Sequence, residues 1–241
     1  PAFLTQHEVG LACPACGEAF PVVDDTPLVM RDLDAWLRSE LPLVLARRDI
    51  PSAAWQRLVR PVDGPVRRSD RLLWTYANSL DGPMQARVAE VLAADPAPGV
   101  ELGCGIGGHG HTGLVGLDSD WMLLSQYPGQ RVLGDALDPP LPAGCCQRVV
   151  SLNLLDSVTD PDLLLSQMHA LLAPGGRLVL ASPFSWQDAL TPPRQQRSPE
   201  AVHGWLKAAG YAVKIEEHDW PLRHPRFVAN LRGVLFLARR G

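Results

Sequence analysis

The residues best suited to chemistry follow the ends of predicted strands in the middle of the chain. The stretch GVELGCGIGG, residues 99–108, carries Glu101 and glycines at positions 103, 105 and 107. Glycines let backbone N–H groups approach a bound ligand closely. Asp118 ends the next apolar stretch, LVGLD, and a carboxylate there can accept both hydroxyl groups of a ribose. The pattern predicts a site for a nucleotide-like cofactor.

Two more polar residues end the strands that follow. Asp135 ends the stretch RVLGD, and Asn153 ends the stretch RVVSLN. In an open parallel sheet, ligands bind at the carboxyl ends of the strands. We therefore expect Asp135 and Asn153 to border the same ligand as the glycine loop.

The elements that must position these residues alternate along residues 83–241. Apolar strand-like segments alternate with amphipathic helical ones, which predicts an α/β fold with a mostly parallel sheet covered on both faces. One helix is predicted to begin at the cap Ser198 and to end at Gly210. The predicted helices are 84–94, 160–173 and 198–210, and the predicted strands end at Gly103 or begin at 114, 131, 148, 177, 213 and 233.

The connection between the glycine loop and the second strand is unusually short. Six of the eleven residues 103–113 are glycine, and each glycine in a helix interior costs about 1 kcal/mol relative to alanine. A parallel connection usually needs a dozen or more residues. We predict an irregular crossover with at most one helical turn. It leaves one sheet face partly bare, and residues 31–80, rich in Trp and Leu, are its natural cover.

Five motifs in this region carry a resemblance. In order, VELGCGIGG, VGLDSD, GDALDPPLPAG, RVVSLNLLDSV and LLAPGGRLVLASP resemble the motif series of class I S-adenosylmethionine-dependent methyltransferases, over roughly residues 84–240. The resemblance implies an EC 2.1.1 enzyme with S-adenosylmethionine as cofactor. It implies a Rossmann-like, seven-stranded, mostly parallel sheet with an antiparallel last strand, here with the first crossover helix shortened or missing.

The resemblance also implies roles for single residues. The methionine part of the cofactor faces Glu101 and the glycine backbone, the ribose hydroxyls bind at Asp118, and the adenine lies beside the end of the third strand. The fourth strand ends under the methionine and the sulfonium. The implied cofactor-binding residues are Glu101, Gly103, Gly105, Gly107, Asp118, Ser119, Asp135, Ala136, Asn153 and Leu154.

The methionine end lacks its usual partner, because no helix N-terminus is predicted at the loop to attract the cofactor carboxylate. His109 and His111, or an arginine from residues 67–71, could supply positive charge there. In the other interpretation, both histidines are exposed loop residues.

The acceptor site is less defined. A sulfonium methyl is already activated, so the enzyme must align the acceptor and exclude water, and a general base is needed only for a protonated acceptor. The candidate catalytic residues are Tyr76 and His224. Tyr76 lies in RLLWTYANSL, which either covers the cofactor or is a packing helix. The pattern SPFSW…TP is similar to methyltransferase domains associated with mercaptohistidine synthesis, which points to a small polar, amino-acid-like acceptor.

The first thirty residues form a separate module. The stretch LACPACGEAFPVVDDTPLVM is similar to the second half of a zinc ribbon found in a small activator protein of tRNA and release-factor methyltransferases. Structural zinc needs four ligands, and this module offers Cys13 and Cys16. Either His7 with another histidine or a second subunit completes a zinc site, or the ribbon is metal-free and kept for packing. We predict three parts: the ribbon-like segment 1–30, a helical cover 31–82 and a methyltransferase domain 83–241.

Composition narrows the class of partner. The chain has 241 residues, a net charge of −4 and no basic stripe, which disfavours nucleic acid. No apolar run is long enough for a membrane span, and five irregularly spaced cysteines favour a cytoplasmic protein. We expect a small-molecule acceptor, and a homodimer stays open. The alternatives are an RNA or protein methyltransferase guided by the ribbon, and an inactive cofactor-binding or scaffold relative.

Overall fold

The computed structural model describes residues 5–7, 10–15, 17, 19–23, 25–33, 36, 82–107, 113–186, 188, 190–224 and 227–241. The chain forms two sheets. The first is an antiparallel meander near the N-terminus, with the strand order β1-β2-β3-β4. Its strands are β1 (Thr5–His7), β2 (Gly10–Ala12), β3 (Ala19–Val23) and β4 (Thr26–Pro27).

The second sheet has seven strands in the order β10-β11-β9-β8-β5-β6-β7. Strands β9, β8, β5, β6 and β7 are parallel, while β11 runs antiparallel to both β9 and β10. This topology confirms the predicted Rossmann-like sheet with an antiparallel last strand. The strands are β5 (Gly99–Leu102), β6 (Leu114–Asp118), β7 (Arg131–Leu133), β8 (Cys146–Leu152), β9 (Leu172–Ser182), β10 (Tyr211–His224) and β11 (Phe227–Arg240).

Helices cover both faces of this sheet and begin at recognisable signals. The side chains of Asp160 and Ser198 cap the two helices that follow them by accepting bonds from Leu163 N and Ala201 N. Proline occupies the first turn of both helices, where its missing N–H costs nothing. The helices are α1 (Pro83–Ala93), α2 (Trp121–Leu124), α3 (Pro161–Leu171) and α4 (Pro199–Ala208), with a 3-10 turn at Leu155–Ser157.

The last hairpin is longer than predicted. The sequence predicts strands at 213–218 and 233–240, separated by a stretch rich in aromatic and turn residues. Instead, β10 and β11 pair over fourteen positions, and Pro221 lies within the pairing. Trp220 is 8% exposed, and a Cβ on Gly233 would lie 2.7 Å from its ring. The Trp220 ring therefore packs over the glycine backbone inside the longer pairing.

The connection between β5 and β6 contains no α-helix in its described parts, residues 103–107 and 113, which form turns and a bend. This agrees with the predicted irregular crossover as far as it is described. Residues 108–112, with His109 and His111, lie outside the described residues, so their predicted contribution at the methionine end stays a prediction.

N-terminal residues pack beside this shortened crossover. Leu28 is fully buried and forms a parallel bridge with Leu133 of β7. The indole Nε1 of Trp36 donates to the carbonyl of Ser119 at 2.8 Å. Leu28 and Trp36 share one buried cluster with Tyr127, in which Leu33 also packs. The described start of segment 31–82 thus lies where a cover was predicted; residues 37–81, the rest of the proposed helical cover, lie outside the described residues.

The contact of Leu28 predicts a large loss of stability on truncation. We expect Leu28→Ala to lower the free energy of unfolding by about 2 to 5 kcal/mol, because it empties a packed site against β7. Urea unfolding measures the change. Leu163→Ala, at a side chain that is 39% exposed, serves as the control and should cost less than about 1 kcal/mol. Equal losses in the two variants would contradict docking of the N-terminal segment on β7.

Candidate cofactor site

The glycine loop after β5 folds back over the end of β6. Gly103, Gly105 and Gly107 all have positive φ, at 67°, 52° and 66°, a conformation that favours glycine. Gly103 N donates to the carbonyl of Leu117 at 2.8 Å. A Cβ on Gly105 would meet no atom within 4 Å. The loop therefore needs its glycines, and open space lies beside its centre.

Asp118 ties this loop to the end of β6. Its Oδ2 atom accepts a bond from Gly105 N at 2.7 Å, and its Oδ1 atom accepts one from Asp120 N at 2.8 Å. Burial raises the pKa of Asp118 to about 6, against these stabilising bonds. The structure thus joins two residues that the sequence predicts at one site, and near neutral pH the carboxylate is mostly ionised and able to accept further hydrogen bonds.

Glu101 lies beneath the loop and is 2% exposed. Burial, with a smaller contribution from the charge on Asp118, raises the pKa of Glu101 to about 8. The hydroxyl of Tyr127 lies 3.5 Å from Glu101 Oε2 and opposes this rise. A cation placed next to Glu101 would favour its ionised form. The site is therefore suited to a ligand that carries a positive group at this end.

The predicted adenine side lies at the end of β7. Asp135 is exposed and its Oδ1 atom accepts a bond from Leu137 N at 2.8 Å, while Ala136 is buried. Ser119 follows Asp118 directly, and its carbonyl accepts the bond from Trp36. These residues lie at the same edge of the sheet as the glycine loop, because β5, β6 and β7 are parallel neighbours.

The ends of β8 and β9 complete this edge. Asn153 adopts a positive φ of 57° and donates its N–H to Ala181 O at 2.8 Å. A Cβ on Gly103 would lie 2.7 Å from Leu154 Cδ1, so Leu154 packs directly against the loop. The structure brings these residues together, and their roles as cofactor ligands stay predictions.

A buried carboxylate lies next to the predicted cofactor residues. Asp156 is 2% exposed, and its Oδ2 atom accepts a bond from Ser185 N at 2.6 Å. Its Oδ1 atom has no hydrogen-bond partner among the described residues. Burial raises the pKa of Asp156. Phe184 has a positive φ of 52°, which is strained for a residue other than glycine. The bond from Ser185 N to Asp156 holds the loop after β9 in this conformation.

The predicted catalytic and metal residues are only partly described. Tyr76 and Cys16 lie outside the described residues, and His224 ends β10 without a described side chain. Cys13 is half-buried, and its backbone carbonyl accepts a bond from Gly17 N at 2.7 Å. No group of three or more His, Cys, Asp or Glu in the described parts of the chain could hold a metal ion. Zinc at the ribbon stays a prediction.

Not one of the described helices is long and apolar enough to cross a membrane.

Known proteins resemble this chain in sequence and in fold. Residues 100–180 match a family model described as a methyltransferase domain. No curated protein matches the sequence. Among solved structures, an S-adenosylmethionine-dependent methyltransferase from Thermotoga maritima is similar, with a TM-score of 0.51 and 17% identity over 71% of this chain and 98% of that chain.

Two further solved structures have the same TM-score of 0.51 and 17% identity. One is an S-adenosylmethionine-dependent methyltransferase from Archaeoglobus fulgidus, covering 65% of this chain and 93% of that chain. The other is the complex between the Haloferax volcanii methyltransferase activator Trm112 and a methyltransferase, covering 70% of this chain and 93% of that chain. At this identity, the likeness shows a shared fold.

The matched domain and the fold together define a methyltransferase of the EC 2.1.1 class with S-adenosylmethionine as its cofactor. The donor set of the site fits this cofactor. The loop offers close backbone N–H groups beside open space, Asp118 can accept hydrogen bonds from hydroxyls, and Glu101 favours a cationic group.

The buried charge on Glu101 predicts a pH-dependent effect of its removal. Since its pKa is raised in the folded state, the stability of the free protein falls as pH rises from the ordinary glutamate range to about 8. Glu101→Gln cannot ionise, so above pH 8 we expect this variant to be more stable by at least about 1 kcal/mol. Thermal unfolding across this pH range measures the difference.

The exposed Glu217→Gln is the matched control and should show no comparable gain. A Glu101→Gln variant that is no more stable than the wild type above pH 8 would contradict a buried, destabilised carboxylate.

Proposed function

We propose that the protein transfers the methyl group of S-adenosylmethionine to a small polar, amino-acid-like acceptor. The observation that carries the acceptor class is the acidic character of the carboxyl edge of the sheet. Asp118 and the exposed Asp135 lie there, beside the buried carboxyl groups of Glu101 and Asp156. Acidic groups repel a polyanion such as RNA and favour neutral or cationic acceptors.

The cofactor, when bound, supplies a methyl group on a positively charged sulfur. In this proposal the ribose hydroxyls bind Asp118 and Ser119, and the glycine loop and Glu101 hold the amino-acid end. Asp135 and Ala136 border the adenine. Asn153 and Leu154 lie under the sulfur, where Leu154 fixes the position of Gly103.

The loop after β9 is proposed to close the acceptor side. Asp156 ties its backbone to the end of β8, and the rings of Phe184 and Trp186 meet edge to face with centroids 6.4 Å apart. Phe184 also packs edge to face on Phe236 of β11, at 6.3 Å. An ordered aromatic loop can exclude water and align the acceptor, which is what this chemistry requires. Tyr76 and His224 stay the candidates for a general base.

A second candidate function is methylation of RNA or protein guided by the N-terminal ribbon. The observation in its favour is the docking of residue 28 on the edge strand β7, together with the structural neighbour that is a complex with an activator. In this alternative the ribbon acts in cis as such an activator. An inactive scaffold is the third alternative. A cytoplasmic location and a homodimer also stay proposals.

Cofactor binding predicts a specific defect. We expect Asp118→Asn to weaken binding of S-adenosylmethionine and S-adenosylhomocysteine by about tenfold or more, because it removes charge-assisted hydrogen bonds. Isothermal titration calorimetry measures both. The control is Asp25→Asn in the β3–β4 turn, where asparagine tolerates the positive φ of 58°. A wild-type protein without detectable binding at millimolar ligand would instead support the inactive scaffold.

The acceptor class can be tested with labelled cofactor. Protein is incubated with methyl-labelled S-adenosylmethionine and separate fractions of a cell extract: small-molecule ultrafiltrate, total RNA and total protein. We expect label in the ultrafiltrate, and the Asp118→Asn variant serves as the negative control. Label in RNA or protein but not in the ultrafiltrate would reject the small acceptor and favour the ribbon-guided alternative.

A further inference from the structure

Tyr127 occupies space that three glycines leave free. It lies in the turn between α2 and β7, and its side chain is 4% exposed. A Cβ added to Gly107, Gly116 or Gly129 would lie 2.9, 2.8 or 3.1 Å from its ring atoms. Gly116 is in the middle of β6, where a glycine marks the close approach of another group. The ring therefore packs directly against the glycine loop, against β6 and against Gly129 before β7.

Hydrogen bonds from Arg131 fix the backbone around Tyr127. Arg131 Nη1 donates to the carbonyls of Tyr127 and Ser125 at 3.2 and 3.1 Å, and its Nε donates to Thr26 Oγ1 at 2.6 Å. On its other side the ring joins the cluster that contains Trp36 and Leu28. The buried ring of Tyr127 thus packs on the sheet face beside the short β5–β6 crossover.

The hydroxyl of Tyr127 reaches the carboxylate of Glu101, at 3.5 Å from Oε2. Other titratable groups face this pair from every side: Cys104 from the loop, Asp118 from β6 and Arg148 from β8. The charge on Arg148 lowers the pKa of Tyr127, while its Nη1 atom donates to the carbonyls of Leu92 in the last turn of α1 and of Asp95 after it. Among the described residues, Tyr127 is the one side chain shown to hydrogen-bond Glu101.

We propose that Tyr127 is a positioning residue beside the short β5–β6 connection, where it packs against the glycine loop and holds Glu101 towards the amino-acid end of the cofactor. This inference rests on the proposed binding mode of S-adenosylmethionine. It assigns two functions to one side chain. The ring fixes the position of the glycine loop, and the hydroxyl favours the ionised form of Glu101. A purely packing role would need the ring alone.

Two ligands separate these functions. S-adenosylhomocysteine carries the cationic amino-acid end, whereas 5′-methylthioadenosine has the same adenosine without it. We expect Tyr127→Phe to weaken binding of S-adenosylhomocysteine by about three- to tenfold near pH 7, the effect of losing one hydrogen bond of ordinary strength. Binding of 5′-methylthioadenosine should change by less than about twofold, which calorimetry resolves.

The pH profile provides a readout that packing would not move. A cationic ligand prefers ionised Glu101, so affinity for S-adenosylhomocysteine rises with pH towards the pKa of Glu101. Loss of the Tyr127 hydroxyl moves this rise to higher pH. Titration of the ligand's own amine is common to all proteins compared and cancels in the difference. Tyr211→Phe is the matched control, because its buried hydroxyl bonds His169 at 3.0 Å beside α3, and it should leave affinity and pH profile unchanged.

A double-mutant cycle tests the route through Glu101. If Tyr127 acts on Glu101, Tyr127→Phe should have no further effect on S-adenosylhomocysteine affinity in the Glu101→Gln background. Gly116→Ala tests the packing: its Cβ would lie 2.7 Å from Cys104 Sγ and 2.8 Å from the Tyr127 ring. We therefore expect more than about a tenfold loss for both ligands, as for a disturbed packed site. Gly204→Ala in α4, where a Cβ meets nothing within 4 Å, is its control.

Equal binding of both ligands by Tyr127→Phe and wild type, with an unshifted pH profile, would overturn the proposal. Recovery of Tyr127→Phe only as an unfolded protein would also overturn it, since the hydroxyl would then serve folding. If wild type binds neither ligand, the proposed function fails. Binding of both ligands by wild type, with equal losses for both in Tyr127→Phe, would retain the function and reject the positioning role.

Discussion

A parallel pair of strands needs a connection that returns the chain along the length of the sheet, and β5 and β6 are joined by the eleven residues 103–113. Glycines take up the turns at both described ends of this connection. Side chains from elsewhere in the chain lie on the sheet face beside it. Tyr127 lies against β6 and the loop, and Leu28 and Trp36 close the cluster from the N-terminal side. The cofactor edge, the α2–β7 turn and the N-terminal segment are therefore parts of one packing arrangement.

Burial also determines the electrostatics of the site. Tyr127 lies beside the nearly fully buried Glu101, and burial raises the pKa values of Glu101 and Asp118 to about 8 and 6. Burying carboxylates destabilises the free protein unless a partner compensates. Asp118 has two backbone N–H donors, whereas Glu101 has one long hydrogen bond. Glu101, the less compensated group, would gain most from a cationic ligand. Its burial therefore destabilises the free protein at the place where a cation would bind.

Much of the fold could be predicted from the sequence because its signals are local. Strand ends carry the polar residues Asp118, Asp135 and Asn153, and helices begin at the caps Asp160 and Ser198. The resemblance of the five motifs to a methyltransferase family then implies the mostly parallel sheet with its antiparallel last strand. The predicted hairpin of β10 and β11 is too short, because the packing of Trp220 over Gly233 has no local signature.

The supporting contacts of the site were beyond the sequence for the same reason. Tyr127 fits against glycines 107, 116 and 129, which become neighbours only once β6 and β7 are paired with β5. The glycine inside LVGLD is the one local sign, since it interrupts an otherwise apolar strand. The sequence predicts Leu28 as part of a separate ribbon, yet it is buried against Leu133 of the seven-stranded sheet. Asp156 acquires its role from Ser185, which lies beyond the next strand.

We infer that a cofactor site persists here because side chains from elsewhere in the chain support the glycine loop beside its short connection to β6. A crystal structure of the complex with S-adenosylhomocysteine tests this most directly. We predict the ribose hydroxyls at Asp118, the amino group beside Glu101, and the Tyr127 ring in contact with Gly107 and Gly116. A ligand whose amino group lies away from Glu101, or a Tyr127 ring displaced from these glycines, would contradict the account.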